Sequence, residues 1–358
     1  VTAGATEAGK YRNTAIEALQ LMTHESPIAP TQPLTGRELP CAIYVVGVDI
    51  GGTNLRVALA GYDGAILGRW SASTKGARDA ESVVAFIREG VDTLLADAGL
   101  PQDSLAAIAA GAPGITDTDR GVVIATSYLM GWRNVPLRDM LESEFGVPAF
   151  VDNDVNLAAI GEQSAGAAQG ASDFVFLGIG TGIGAGIVLR GEVHRGSSWM
   201  SGEIGYMLVP GVSETPAGDG EPGALECIAG GEGIKTQWKS RWSEGLTTLP
   251  KEASATEIFD HALDLNPLAE EILTLAAKTL AYAIYNTSLI LNSPLFILGG
   301  GVGVHPALGQ ATQAILRKRL AQVHPQVVHS ALGADAQLVG AVFQALAMAD
   351  KGLAAAAQ

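Results

Sequence analysis

Ile43-Tyr44-Val45-Val46-Gly47-Val48-Asp49-Ile50-Gly51-Gly52-Thr53-Asn54 is the stretch on which the fold turns. Ile43 to Val48 is a nearly continuous apolar run, the pattern of a buried strand. The run ends at Asp49, passes a Gly-Gly-Thr turn and resumes as a second strand from Arg56 to Ala60. Tyr62-Asp63-Gly64 signals another turn, and Ala65 to Trp70 reads as a third strand. The glycine pair therefore joins two strands of a hairpin and does not open a helix. The same plan recurs downstream. Phe174 to Ile179 is an apolar strand that runs into Gly180-Thr181-Gly182-Ile183-Gly184-Ala185-Gly186, followed by a strand at Ile187 to Leu189, a turn at Arg190-Gly191, and Glu192 onward. Such a repeat is an internal duplication. It predicts an α/β protein made of two copies of one unit with a cleft between them.

The intervening segments fit this plan. Ala80 to Ala98 has helical spacing, and Leu105 to Ala110 is a buried strand leading into Gly111-Ala112-Pro113-Gly114. Val122 to Ala125 is a short strand, Leu137 to Phe145 a helix, and Pro148 to Val151 a strand that ends in Asp152-Asn153-Asp154-Val155-Asn156. Residues 211–266 read as irregular and then helical. Glu270 to Leu291 is a long helix, and Pro294 to Leu298 is a strand ending in Gly299-Gly300-Gly301-Val302-Gly303. His305 to Leu320 is mostly helical, and Gln337 to Met348 is the last helix. Ahead of the first strand, Tyr11 to Thr23 has helical spacing, and Pro27, Pro30, Pro33 and Pro40 then break any regular element.

Composition narrows the function. A chain of 358 residues suggests two domains on a prior of about 150 residues each. With 47% hydrophobic and 16% charged residues it can bury a large core. A net charge of -15 disfavours binding to nucleic acid or anionic membrane. The only cysteines, Cys41 and Cys227, give no disulfide framework and fit a reducing, cytoplasmic setting. The N-terminus shows no basic flank leading into an apolar signal region, and the apolar stretches are broken by Gly or by Lys278, Asn286 and Asn292, so no membrane span is expected.

The chemistry gathers at the turns. Asp and Asn cap helices and form turns, but capping needs only one of them. Two carboxylates and two carboxamides at a strand-to-helix junction point also to a general base beside a hydrogen-bonding amide. Gly-rich turns after buried strands let backbone N–H groups approach an anion, or they serve as tight hairpins that need φ > 0. Two of them, at Gly51-Gly52-Thr53 and Gly180-Thr181-Gly182, could face each other across a cleft and hold a polyphosphate. Asp49 is placed to hold a hydrated Mg2+. The cluster at 299–303 would let a flat nucleoside lie against backbone, or is a simple strand-to-helix turn. There is no P-loop motif, and the Gly180-x-Gly182-x-x-Ala185 match to the dinucleotide fingerprint precedes a strand, not the required helix.

Taken in order, Asp49-x-Gly51-Gly52-Thr53, Gly111-x-Pro113-Gly114, Gly131-Trp132-x-Asn134-Val135-Pro136-Leu137, Asp152-Asn153-Asp154-x-Asn156, Gly180-Thr181-Gly182-x-Gly184-x-Gly186, Glu203-Ile204-Gly205 and Gly299-Gly300-Gly301-Val302 resemble the ROK family of sugar kinases and sugar-responsive repressors. The resemblance covers roughly residues 43–346. It implies an α/β, actin-like, hexokinase-type fold, in which two ribonuclease-H-like domains close on ATP and a sugar. It also implies that the last helix returns to the first domain. The expected division is an extension over 1–40, a first domain of 41–152 with 337–358, and a second domain of 153–336. By the same resemblance Asp154 is the base for the sugar hydroxyl, and Asn153, Glu203, Glu226 and, more weakly, Asn134 hold the sugar. Gly51, Gly52, Thr53, Gly180, Thr181, Gly182 and Gly184 hold phosphates, with Asp49 on Mg2+ through water, and Gly299, Gly300 and Gly301 face the adenosine. Phosphoryl transfer of this kind rests on positioning and charge neutralisation, so it makes no demand for a raised pKa at Asp154.

The sequence departs from the family where zinc-bearing members carry E-x-G-H and then C-x-C-G-x-x-G-C-x-E. Tyr206 stands at the His position, and Ala217, Asp219 and Ala224 stand at the cysteine positions, with Gly220 and Gly223 matching. All four ligands are missing and Cys227 is out of register, so no zinc site is expected and Tyr206 is a candidate sugar contact. Asn54, where many members have Lys, is a smaller departure. The leading expectation is a glucokinase-like ATP:hexose phosphotransferase acting on glucose or a close relative at the 6-hydroxyl. The alternatives are a repressor of the same family, a binding-only sensor, or a kinase fed by polyphosphate. The residues before the first strand, about 40 and without a basic cluster, look too few for a winged helix-turn-helix. Family members often form dimers or tetramers, which implies a homo-oligomer.

Overall fold

The computed structural model describes residues 43–74, 79–126, 129, 131–210, 221–245, 247–319 and 325–356. The expected extension at 1–40, its helix at Tyr11 to Thr23, and Cys41 lie outside the described residues.

The first unit runs β1 (Tyr44–Ile50), β2 (Asn54–Gly61), β3 (Ile66–Ser73), α1 (Ala80–Asp97), β4 (Leu105–Ala112), β5 (Ile115–Asp117), β6 (Val122–Ala125), β7 (Arg133–Val135), α2 (Leu137–Phe145) and β8 (Ala149–Asn153). Helix α3 (Asp154–Ala165) follows directly. The second unit runs β9 (Phe174–Ile179), β10 (Ile183–Leu189), β11 (Glu192–Val193), α4 (Ala224–Ala229), α5 (Gly231–Arg241), α6 (Ala255–Leu263), α7 (Pro267–Leu291), β12 (Leu295–Gly299), α8 (Gly300–Gly303), α9 (Pro306–Arg319) and β13 (Gln326–His329). Helix α10 (Ala336–Ala356) is last.

The duplication is explicit in the topology. One sheet has the order β3-β2-β1-β4-β8 and the other β11-β10-β9-β12-β13. In each, the first three strands of the unit pair antiparallel and the last two join parallel. Strands β5, β6 and β7 form a separate small sheet. β1 shows why its sequence is an unbroken apolar run. Val46, Val48 and Ile50 belong to the core beneath α1 and α2, while Val45 packs in a second core with Leu338, Val342 and Leu346 of α10. A central strand covered on both faces has no polar side to show in its sequence.

Helix α3 lies between α10 and the second sheet. A Cβ on Gly340 of α10 would fall 1.8 Å from the Leu157 carbonyl oxygen, and one on Gly161 would fall 2.2 Å from that of Ala336. On its other side, a Cβ on Gly186 of β10 would meet the Ala159 Cβ at 2.7 Å. The sequence expectation started this strand at Ile187. It starts at Ile183 because Gly184 and Gly186 are strand residues whose bare Cα atoms admit α3. Residues 224–263, expected as irregular chain and then helix, hold three short helices. Strands β5, β7 and β13 have three or four residues each, too short for alternation to be read. Among the described residues no helix is long and apolar enough to cross a membrane.

The C-terminal end of α3 is anchored by a carboxylate. Glu162 is 0% exposed; its Oε2 accepts from the N–H groups of Ala167 (2.6 Å) and Ala331 (3.2 Å). Its Oε1 accepts from the Leu332 N–H (3.1 Å) and the Ser330 hydroxyl. Removing it leaves buried donors without acceptors, at about 1–3 kcal/mol for each group not rescued by water. Glu162→Ala is therefore expected to lower the melting temperature by about 5–10 °C in a thermal scan. A change within one degree would mean that solvent replaces the carboxylate.

Candidate active site

The turn at the end of β8 divides its labour. Asp152 is fully buried. Its Oδ1 accepts from the Asn153 N–H (2.7 Å) and the Asn156 side-chain amide (3.0 Å). Its Oδ2 accepts from Arg195 Nε (3.0 Å) and Nη2 (2.6 Å). Asn153 caps α3: its Oδ1 accepts from the N–H groups of Val155 (2.9 Å) and Asn156 (3.2 Å), and its Nδ2 donates to the Gly114 carbonyl (2.9 Å). Capping thus accounts for the Asn153 oxygen, and one amide hydrogen is left for another acceptor. Asp154 is the first residue of the helix and is half-buried. One of its oxygens accepts from the Val155 N–H at 2.9 Å.

The electrostatics of Asp154 set it apart. Its carboxyl is pushed up to about 7, first by burial and next by the negative charge of Asp49; the Val155 N–H opposes this, and Glu203 adds to it. The sequence reading asked for no such shift, because burial and charged neighbours arise only from packing. Glu203 is itself raised, by burial and then by Glu226. Glu226 lies in the first turn of α4, and its Oε2 accepts from the Ile183 N–H at 2.9 Å. Asp49, Asp154, Glu203 and Glu226, expected to share a site, are linked in this way by their mutual repulsion. Tyr206 ends the short turn Ile204–Tyr206 that follows Glu203, and it is 48% exposed. Asn134 lies on exposed β7 with φ of 53°, a left-handed conformation that asparagine tolerates.

Asp49 is raised by burial even though Arg56 lowers it. Arg56 Nε (2.9 Å) and Nη2 (2.5 Å) both donate to its Oδ2. The Gln337 amide, turned so that its nitrogen donates, lies 3.1 and 3.2 Å from the two carboxylate oxygens. Asp49 and Asp154 repel across a space that a cation would neutralise. Among the described residues no group of three or more His, Cys, Asp or Glu side chains could hold a metal ion. Asp49, held by Arg56 and Gln337, is the kind of carboxylate that meets a Mg2+ ion through water, with phosphate oxygens supplying the rest of the shell.

The glycine turns are braced from behind. The Gly51 N–H donates to the Asn54 carbonyl (2.8 Å), while Thr74 ties down the turn through the Gly51 and Thr53 carbonyls. Gly52 and Thr53 are exposed. In the second turn the carbonyls of Gly180 and Thr181 accept from the first N–H groups of α5, at Gly231 (2.9 Å) and Glu232 (3.1 Å), and Thr181 is exposed. Gly184, expected among the phosphate contacts, lies in β10, where a Cβ would meet Val155 at 3.1 Å. Gly299 ends β12, and Gly300 turns the chain into α8 with φ of 77°. A Cβ on Gly301 would meet nothing within 4 Å, so the space over it is open.

Residues 45–348 match the ROK family. The chain belongs to the ROK family. A ROK-family glucokinase of Streptomyces griseus, solved in complex with glucose and AMPPNP, superposes with a TM-score of 0.70 at 28% identity, covering 84% of this chain and 99% of that one. The chain is therefore of the actin-like, hexokinase-type fold. The glucokinase of Halalkalibacterium halodurans is 33% identical over 266 residues, which span 72% of this chain and 80% of the relative. A putative xylose repressor of Caldicellulosiruptor is 28% identical over 261 residues, spanning 71% of this chain and 65% of the relative.

Within the ROK frame, Ala217, Asp219 and Gly220 of the expected zinc segment lie outside the described residues. Gly223 is packed so closely that a Cβ would fall 2.2 Å from the Gly205 carbonyl, and Ala224 opens α4. With Tyr206, Ala217, Asp219 and Ala224 at the ligand positions, elemental analysis of the purified protein is expected to find well under one zinc per chain. One full equivalent would require other ligands.

Sequence reasoning missed the partners that hold the site: Arg195 on Asp152, Arg56 and Gln337 on Asp49, and the 330–332 loop on Glu162. Arg195 follows β11 and looks in the sequence like any exposed loop cation.

Proposed function

We propose that this chain is an ATP-dependent hexose kinase that phosphorylates glucose or a close relative at the 6-hydroxyl, with Asp154 as the general base. The observation that carries this reading is the Asp154 carboxyl, raised to about 7 and grouped electrostatically with Asp49 and Glu203. A base poised near neutrality at the start of a helix suits proton removal from a hydroxyl.

Bound Mg-ATP would supply the phosphoryl group and neutralise the charge that develops on it. The chain's residues do the rest. The backbone at Gly51 to Thr53 and Gly180 to Gly182, with the Thr53 and Thr181 hydroxyls, would cradle phosphate oxygens. Asp49 would face the cation through water, with Arg56 and Gln337 fixing its orientation. Gly299 to Gly301 would leave room for the adenosine. Glu203, Glu226 and the free amide hydrogen of Asn153 would bind sugar hydroxyls, with Tyr206 and Asn134 as outer contacts. Asp154 would orient the attacking hydroxyl in line and accept its proton late, when the oxygen has become acidic. The kinship to glucokinases at 33% and 28% identity supports this reading.

The test is an ADP-release assay with Mg-ATP against hexoses, hexosamines and N-acetylated sugars. The expected result is turnover confined to one sugar class, with glucose or a near epimer preferred. Activity with polyphosphate but not ATP would replace the donor. The kinship to a repressor supports a second reading, a sugar sensor. Sugar binding by calorimetry without turnover on either donor would favour it.

A further inference from the structure

We propose that Arg195 is a positioning residue that ties the loop bearing Glu203 to the turn bearing Asp154, so that both walls of the sugar pocket are set by one ion pair with Asp152. The proposal rests on the kinase reading for its kinetic consequences, and on the geometry alone for the tie itself.

The two partners come from different units of the duplicated fold. Asp152 is the penultimate residue of β8, one position before the Asn153 cap of α3, and its side chain is 1% exposed. Both its oxygens are spent. One draws the Asn153 N–H and the Asn156 amide inward and so shapes the first turn of α3, where Asp154 sits. The other takes two nitrogens of the Arg195 guanidinium at 3.0 and 2.6 Å. Without that cation a carboxylate would be buried with only neutral donors around it, a state that is strongly disfavoured.

The Arg195 backbone belongs to the other wall. Its guanidinium also donates to the Val193 carbonyl at the end of β11. Its own carbonyl accepts from the Ser201 N–H at 3.2 Å, closing a loop over residues 195–201. Gly202 follows, with φ of 97° and with its carbonyl accepting from the Ala185 N–H at 2.8 Å. A Cβ there would fall 1.9 Å from the Ala185 carbonyl, so the loop exit is fixed against β10. The next residue is Glu203. A short loop pinned at its entry by the Arg195–Asp152 pair and at its exit by β10 thus delivers one sugar carboxylate. The same pair shapes the turn that delivers the base. A forked guanidinium is suited to this, because two parallel donors fix orientation as well as distance.

A purely structural pair would change stability and nothing else. The tie instead predicts a selective kinetic effect. Arg195→Met, which keeps the length of the side chain and removes the charge and the fork, is expected to raise the sugar KM and lower kcat/KM by about 100-fold. The nucleotide KM should change less than twofold, because the guanidinium hydrogen bonds go to Asp152 and the Val193 carbonyl rather than to a glycine turn. Arg195→Lys, with charge but no fork, should recover only part of the loss. The double variant Arg195→Met with Asp152→Asn should regain melting temperature but not sugar affinity. Hydrogen exchange gives a readout that needs no turnover: in Arg195→Met the amides of 153–157 and of 195–203 should both exchange faster. A folded Arg195→Met enzyme with wild-type sugar kinetics overturns the proposal, as does an equal rise in both KM values. Faster exchange confined to one of the two segments also overturns it. If the wild-type protein turns over no sugar, the kinase reading fails, and the exchange experiment still decides the tie.

Discussion

Asp154→Asn is expected to lower turnover by about 100- to 10,000-fold while sugar binding by calorimetry stays within a few-fold of wild type. The amide keeps the shape and can still accept from the Val155 N–H, but it cannot take a proton. In the wild type the active form is the carboxylate, so kcat/KM should rise with pH and level off above about 7. Glu203 raises the Asp154 carboxyl, so Glu203→Gln should move this limb to lower pH, whatever it does to sugar affinity. The stability consequence has a definite sign. The folded value lies above the ordinary 3.8, so Asp154 favours the fold fully only below about 4, and that contribution is lost as pH rises to about 7. Asp154→Asn should therefore melt about 2–4 °C higher than wild type at pH 8 and show no gain at pH 4. Unchanged turnover in the variant would remove Asp154 as the base.

Gly340→Val is expected to prevent the body from folding to a stable state. The added Cβ would stand 1.8 Å from the Leu157 carbonyl oxygen, and no rotamer relieves a clash that the Cβ itself makes with backbone. Helix α10 would have to move off α3, which is held on its far side by Gly186 and its neighbours. Overpacking alone costs about 1–3 kcal/mol, and displacing a helix between two layers costs more, a large share of the few kcal/mol that separate folded from unfolded. Gly340→Ala should behave almost as badly, since the methyl group is the offending atom. Gly352 on the same helix is the control: a Cβ there meets nothing within 4 Å, so Gly352→Ala should leave the melting temperature equal or slightly higher. Soluble Gly340→Val with a wild-type thermal profile would mean that the two helices do not approach this closely.

The two variants bear on two kinds of information. The longer strands of both units, the Gly-Thr turns that follow the first strand of each, and the strand-to-helix turn at Asp152 to Asn156 could be read from the chain alone, while the three- and four-residue strands β5, β7 and β13 could not. Each is a local pattern: a run of apolar residues, a break, a cluster of turn formers. The duplication followed, because a repeated pattern repeats a topology, and the family resemblance rests on the same ordered motifs. The turn's residues alone left capping and a general base open, and only the family resemblance singled out Asp154 among the four polar side chains there.

The tertiary structure alone decided which polar groups spend their hydrogen bonds on architecture. Asp152 meets Arg195 across 43 residues, Glu162 meets Leu332 across 170, and Arg56 meets Asp335 across 279. No periodicity links such pairs, because each exists only where two elements pack. The same holds for Gly184, a turn residue by its neighbours and a packing residue by its contact with Val155. It holds most of all for the acidity of Asp154, which is set by burial and by the distance to Asp49 and Glu203. Residue identity follows from the chain, but dielectric environment and through-space charge follow only from the packed fold.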